Sequence, residues 1–180
     1  MKKEIELRAK VESLKSIENK LDELGFESTE RNLVKDQVFD DKKESYRKKG
    51  SMIRLRTINN KRHLFAYKGP SKIEKYKIRE ESELEISNPE KLEEILKKIG
   101  LRVTFEMEKK RKTYYGDGCK IELDQYPVLG FFVEIEGRPE QIEKMISKLD
   151  VKRDKFNSRS LDFYINKKEK EIGEKVELKF

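Results

Sequence analysis

Lys3-Glu4-Ile5-Glu6-Leu7-Arg8-Ala9-Lys10-Val11 alternates strictly between charged and apolar side chains. Successive side chains of a strand point to opposite faces, so residues 3–11 predict a strand with one charged and one apolar face. Glu4, Glu6, Arg8 and Lys10 share the first face; Ile5, Leu7, Ala9 and Val11 share the second. Two carboxylates followed by two cations in one row offer a metal ion one end and an anion the other.

The same alternation returns down the chain. It places Arg54 with Arg56 in a strand at 51–58, Lys68 at the end of 62–68, and Arg79 with Glu81, Glu83 and Glu85 in 76–87. Lys109 and Arg111 follow in 103–115, Glu122 and Asp124 in 120–124, and Glu134 and Glu136 in 130–136. The opposite faces carry Ile53 and Leu55, Ile78, Ile121 and Leu123, or Val133 and Ile135. A further strand is expected at 33–40, and Asn59-Asn60-Lys61 reads as a hairpin turn. Between the strands lie helical patterns. Ser13 suits an N-cap before Leu14, Ile17, Leu21 and Leu24, with Gly25 as the stop; Asn88-Pro89 opens a second helix bearing Leu92, Ile95, Leu96 and Ile99. Pro139 opens a third helix, and a fourth begins near Ser158. The stretch 41–50 has no apolar periodicity and reads as a mobile loop.

Runs of strands with a few helices between them argue for an α+β fold with a mainly antiparallel sheet. A flat sheet could turn one charged face to water, but long exposed strands more often carry Thr, Ser and mixed polar residues. Charged faces on strand after strand fit better with an eight-stranded antiparallel β-barrel, its interior wet and charged, its apolar outer wall covered by helices. At 180 residues one domain spans the chain.

Composition narrows the partners. Charged residues make up 44% of the chain and are interleaved with apolar ones, as in folded, charge-rich proteins. The Lys-, Glu- and Ile-rich composition without Trp fits adaptation to high temperature. A net charge of +7 favours anionic partners, phosphates first, although lysines that merely solubilise the surface would give the same balance. The single cysteine, Cys119, excludes an internal disulfide, and the single histidine, His63, excludes a His-rich metal site. No apolar run is long enough to span a membrane and the start resembles no signal peptide, so a cytoplasmic protein without a membrane partner is expected. Lysine runs such as Lys167-Lys168 lack aromatic interleaving, and nucleic acid is not expected to bind. Walker loops, Gly-rich dinucleotide loops and nucleophile elbows are absent from the sequence.

What the charged faces offer together is a site for metal and phosphate. Hard cations such as Mg²⁺ and Mn²⁺ take carboxylate oxygens plus substrate phosphates, and Arg and Lys take phosphate oxygens. A triphosphate satisfies both sets at once, and phosphoryl or nucleotidyl transfer needs this kind of charge stabilisation.

The motifs also carry a family resemblance. Glu4-Ile5-Glu6-Leu7-Arg8, Arg54-Leu55-Arg56, Tyr67-Lys68-Gly69-Pro70, Arg79-Glu80-Glu81-Ser82-Glu83, Lys109-Lys110-Arg111, Glu122-Leu123-Asp124 and residues 129–136 resemble, in order, the CYTH or triphosphate tunnel superfamily. The Asn88-Pro89 helix start and the Leu129-Gly130 turn look most like its class IV adenylyl cyclase branch. The resemblance implies that Glu4, Glu6, Asp124, Glu134 and Glu136 hold Mg²⁺ or Mn²⁺. It also implies that Arg8, Arg54, Arg56, Lys68, Lys109 and Arg111 grip the phosphates, with Lys10 and Arg79 on the same faces. Glu4, Glu6, Arg8 and Glu136 are the residues it places at the chemistry. The implied activity is conversion of ATP to cyclic AMP and pyrophosphate, with hydrolysis of an inorganic or organic triphosphate, or polyphosphate binding without turnover, as the alternatives. A homodimer is implied as well. Arg8 departs from the family signature, which has lysine there; the charge is kept, but a point donor becomes a planar fork.

Overall fold

A computed structural model describes residues 2–180. In chain order its elements are β1 (Lys2–Val11), α1 (Lys15–Glu23), β2 (Glu27–Ser28), β3 (Asn32–Asp40), α2 (Ser45–Lys48), β4 (Met52–Ile58), β5 (Arg62–Lys68), β6 (Lys72–Ile73) and β7 (Lys77–Ile86). There follow α3 (Pro89–Lys98), β8 (Arg102–Gly116), β9 (Cys119–Tyr126), β10 (Gly130–Glu136), α4 (Pro139–Lys148), a 3₁₀ turn (Arg153–Lys155), β11 (Phe156–Asn157) and α5 (Leu161–Ile172).

Antiparallel pairing runs β1-β10-β9-β8-β3-β4-β5-β7 and returns to β1 through Glu4 opposite Arg79 and Ile5 opposite Ile78. The sheet therefore closes into the eight-stranded barrel that the alternating charge predicted. Closure removes the free edges an open sheet of this length would expose. β2, β6 and β11 are short additions to β8, β7 and β1.

Outward side chains of the strands meet the helices. Leu7 and Ala9 of β1, Ile121 and Leu123 of β9 and Val133 and Ile135 of β10 pack with Ile17 and Leu21 of α1 and Ile142, Met145 and Ile146 of α4. Across the barrel, Leu96 of α3 covers Phe39, Ile53 and Leu55. Each such large apolar side chain contributes about 1.5–3 kcal/mol when taken from water. α5 is placed differently: Ile165 and Leu178 pack on Tyr126 and Phe132, with Phe105 and Met107 alongside. Those four wall residues share the inward faces of β8, β9 and β10, so α5 and the segment after it lie across one end of the barrel. The backbone N–H of Glu108 donates to the carbonyl of Leu178 at 2.6 Å, which makes residues 176–180 an edge segment beside β8.

Turns follow the chemistry of their residues. Asn59 and Asn60 both take positive φ (50° and 56°), as a two-residue hairpin turn requires. Asn88 Oδ1 accepts the N–H of Lys91 at 2.8 Å and caps α3. At α1 the cap position falls on Leu14 and not on Ser13, whose Oγ accepts from the N–H of Lys15 at 3.2 Å. The expected mobile loop at 41–50 is instead ordered, with a turn of helix, α2, at its centre. Its cause is electrostatic: the Asp40 carboxylate, 3% exposed, accepts the N–H groups of Tyr46 at 3.1 Å and Arg47 at 2.9 Å, while Asp41 accepts those of Lys43 and Ser45. No helix among the described residues is long and apolar enough to cross a membrane.

Replacing Asp40 by Ala is expected to cost about 2 kcal/mol in urea denaturation, on the order of losing hydrogen bonds to a charged acceptor. Amide exchange should rise at Tyr46 and Arg47 while the barrel amides keep their protection.

Candidate active site

The inward faces line a cavity of about 1140 Å³ running through the barrel. Its walls carry Glu4, Glu6 and Arg8 from β1, Arg54 and Arg56 from β4, Lys68 from β5, Arg79, Glu81 and Glu83 from β7, Lys109 and Arg111 from β8, Glu122 from β9 and Glu134 and Glu136 from β10. The alternation of each strand thus delivers its charged set to one shared space.

Inside, cations and carboxylates are matched in two linked groups and two separate pairs. Arg8 Nε donates to Glu134 Oε1 at 2.9 Å, and Arg111 bridges Glu134 at 3.2 Å, Glu122 at 2.5 Å and Asp124 at 2.5 Å. Lys109 bonds Asp124 at 3.1 Å, and Lys120 joins Glu122 (3.3 Å) to Glu136 (2.6 Å). On the opposite wall, Arg54 meets Glu81 at 3.3 Å and Glu83 at 3.1 Å, and Lys68 joins Glu81 to Glu4, both at 3.0 Å. Lys77 holds Glu6 at 2.6 Å, and Arg56 grips Asp36 with two bonds of 2.7 Å.

Burial and neighbours shift the titrations. Burial would raise the Glu134 carboxyl, but Arg8 and Arg111 outweigh it and hold the group well below its ordinary range. Arg56 does the same for Asp36. Glu6 moves the other way: burial and the nearby charges of Glu134 and Glu4 raise it despite Lys77. Lys109 is pulled down to about 8, by burial first and then by Arg111 and Arg56.

The expected residues do not all converge. Glu4, Glu6, Arg8, Arg54, Arg56, Lys68, Lys109, Arg111, Glu134 and Glu136 line the cavity. Arg79 lines it too, but its guanidinium donates to the carbonyl of Gly69 at 2.7 and 3.1 Å and so ties the end of β5 to β7. Asp124, 1% exposed, has its oxygens taken by Arg111, Lys109 and the Tyr126 hydroxyl, which makes it the anchor of two cations. Lys10 is exposed, with its ammonium 6.0 Å from the Phe132 ring centre, and does not line the cavity. Among the described residues no three carboxylates form a ready-made metal cage.

Several members were not anticipated from sequence. Lys120 shares parity with Glu122, and Lys77 with Arg79, so continuing the alternation one step would have found both. Asp36 lies between Val34 and Val38 on a mixed face and gives no such signal. Cys119 behaves as a small hydrophobe, packed in the outer core with its thiol pushed up to about 11 by burial. His63 faces outward from the barrel, its Nδ1 3.0 Å from Thr57 Oγ1.

A closed barrel with an ion-paired interior of this depth is a charged tunnel. The model of the CYTH domain matches residues 2–172, and the chain belongs to that family. A Methanocaldococcus jannaschii protein named "putative adenylate cyclase" is 30% identical over 134 residues, covering 74% of this chain and 75% of the relative. A solved Vibrio parahaemolyticus structure of the same description superposes with a TM-score of 0.81 at 19% identity, over 91% of this chain and 97% of the other. A Hippeastrum protein, also so described and reported with a dominant triphosphatase activity, superposes with a TM-score of 0.68 at 18% identity, over 98% of each chain.

The state of Lys109 predicts a pH limit. Below about 8 the amine is charged and attracts an anion; above it the free protein loses that cation. Binding of inorganic triphosphate, followed by calorimetric titration, should weaken as pH rises through that point. In Lys109→Arg that weakening should move out of the range.

Proposed function

We propose that the protein is a metal-dependent enzyme acting on a triphosphate, of the class IV adenylyl cyclase type. The observation that carries this reading is a pair of orphaned donors. Arg8 Nη1 and Arg54 Nε are buried without any hydrogen-bond partner, on guanidinium groups that line the tunnel. An unmet donor of this kind costs about 1–3 kcal/mol, and a phosphate oxygen in the tunnel would meet it.

The donor set fits a divalent cation. Glu4, Glu6 and Glu134 offer oxygen ligands only, as Mg²⁺ and Mn²⁺ prefer, and these ions complete their shell with substrate phosphates and water and need no full protein cage. Burial first, and then repulsion from Glu134 and Glu4, raises the Glu6 carboxyl, and a bound cation would relieve that repulsion. In this reading Glu4, Glu6 and Glu134 hold the metal, with Glu136 beside them. When bound, the metal supplies neutralisation of phosphate charge.

The protein's own side chains do the rest. Arg8, Arg54, Lys68 and Arg111 exchange carboxylate oxygens for phosphate oxygens and fix the polyphosphate along the tunnel, while Asp124 and Asp36 keep Arg111, Lys109 and Arg56 in place beside it. In the cyclase reaction the ribose 3′ oxygen attacks the α-phosphorus, the bond from that phosphorus to the β-bridging oxygen breaks, and pyrophosphate departs. The cations stabilise the charge gathering on the leaving group. The name of the Methanocaldococcus relative favours this chemistry. The activity reported for the Hippeastrum neighbour favours a second reading, in which water attacks a terminal phosphorus, the bond from that phosphorus to its bridging oxygen breaks, and orthophosphate and the remaining diphosphate are released.

Incubation with Mn²⁺ or Mg²⁺ and either ATP or inorganic triphosphate, with products separated by chromatography, distinguishes them. Cyclic AMP is expected from ATP; orthophosphate would place the protein with the triphosphatases, and no product from either substrate would contradict both. Glu6→Gln should lower the metal-dependent rate by about 100-fold or more, the usual scale for losing one charge-stabilising group.

A further inference from the structure

Nearly every cation lining the tunnel is already engaged. Among the described residues, each lysine and arginine of the cavity wall bonds a carboxylate, or in the case of Arg79 a backbone carbonyl, except Arg47. Arg47 is exposed, lines the cavity and sits on α2, the turn whose position is fixed by the buried Asp40 carboxylate through the Tyr46 and Arg47 amides.

Its place in the barrel is specific. α2 joins the end of β3 to the start of β4, at the same end as the β5–β7 connection carrying Ser71 and Ile73, which also line the cavity. α5 lies at that end too, tethered by the bond from Ser158 Oγ to the Glu74 carbonyl at 2.8 Å, and contributes Asp162 and Asn166 to the same wall. The opposite mouth is lined by Glu83 and by Arg62 and Lys120, which are paired with Glu85 at 2.9 Å and Glu136 at 2.6 Å. An incoming polyanion therefore meets an uncommitted guanidinium at one mouth and only paired cations at the other.

We propose that substrate enters between α2 and α5, phosphates first, and that Arg47 is the positioning residue that receives the phosphate chain there before the interior cations exchange partners. This rests on the triphosphate reading above. It also gives Asp40 a purpose in the site: a buried carboxylate that orders 41–50 holds one cation at the entrance. A free cation at the rim acts on encounter and affinity, since charges lining a mouth raise the local concentration of the opposite ion.

The test compares Arg47→Glu with Lys48→Glu, its neighbour on α2, which carries the same charge but does not line the cavity. Steady-state kinetics on inorganic triphosphate with Mn²⁺ are run at several salt concentrations, alongside equilibrium binding of the same anion. Arg47→Glu should lower kcat/KM by about tenfold or more, the loss falling on KM and shrinking with added salt, while Lys48→Glu changes it by less than about twofold. Arg47→Lys should keep most of the activity. If the two glutamate variants behave alike, Arg47 is not the receiving residue. If wild-type protein neither binds nor turns over triphosphate, the functional reading itself falls, and this inference with it.

Discussion

Charge withdrawn from water is the constraint on which this structure turns. Arg8, Lys109, Arg111, Asp124 and Glu134 are each less than a tenth exposed, inside a barrel of 180 residues. Removing an ion from water costs several kcal/mol even after relaxation, and a buried pair commonly regains less than apolar residues of the same volume would supply. Such an interior does not add stability. The outer wall, where α1, α3 and α4 pack on Leu7, Ile53, Ile121 and Ile135, stabilises the fold and allows the inner wall to be costly.

The pairing also explains how the interior tolerates its charge and how, in the proposed reading, it would accept an anion. With each carboxylate beside a cation, the tunnel is close to neutral when empty of substrate. A triphosphate alone would have to displace carboxylates and leave them unpaired; a triphosphate arriving with a divalent cation replaces both partners together. Metal and polyphosphate are thus expected to bind as a unit, and the orphaned donors on Arg8 and Arg54 mark where the pairing is incomplete. Asp36 and Asp124 stand apart from this exchange: their carboxylates are 1% exposed and fully engaged, and they serve as fixed supports.

Much of this was legible in the chain because a period of two is a local property. Glu4-Ile5-Glu6-Leu7-Arg8 announces its inner and outer faces without reference to any partner, and the same reading gave Arg54, Arg56, Lys109, Arg111 and Glu134 their places. What failed to show depends on contacts distant in sequence. Arg79 has the parity of a tunnel residue, yet its guanidinium is taken by the Gly69 carbonyl across the β5–β7 connection. Lys10 has the parity of Arg8, but it sits at the end of β1 beside Phe132, on the side of that end where α5 packs against the wall. The order of 41–50 rests on one buried carboxylate, Asp40, rather than on any apolar repeat. Arg8 keeps the charge expected at its position and uses the wider fork of arginine to bond Glu134 while leaving Nη1 without a partner.

The claim that the ion pairs are partners awaiting exchange, not fixed fillers of the interior, is tested most directly by calorimetric titration of inorganic triphosphate into the protein with and without Mn²⁺. Saturable binding at one site per chain, markedly tighter with the metal present, is the predicted result. No binding under either condition by a folded protein would contradict it, and would leave the charged interior a structural feature alone.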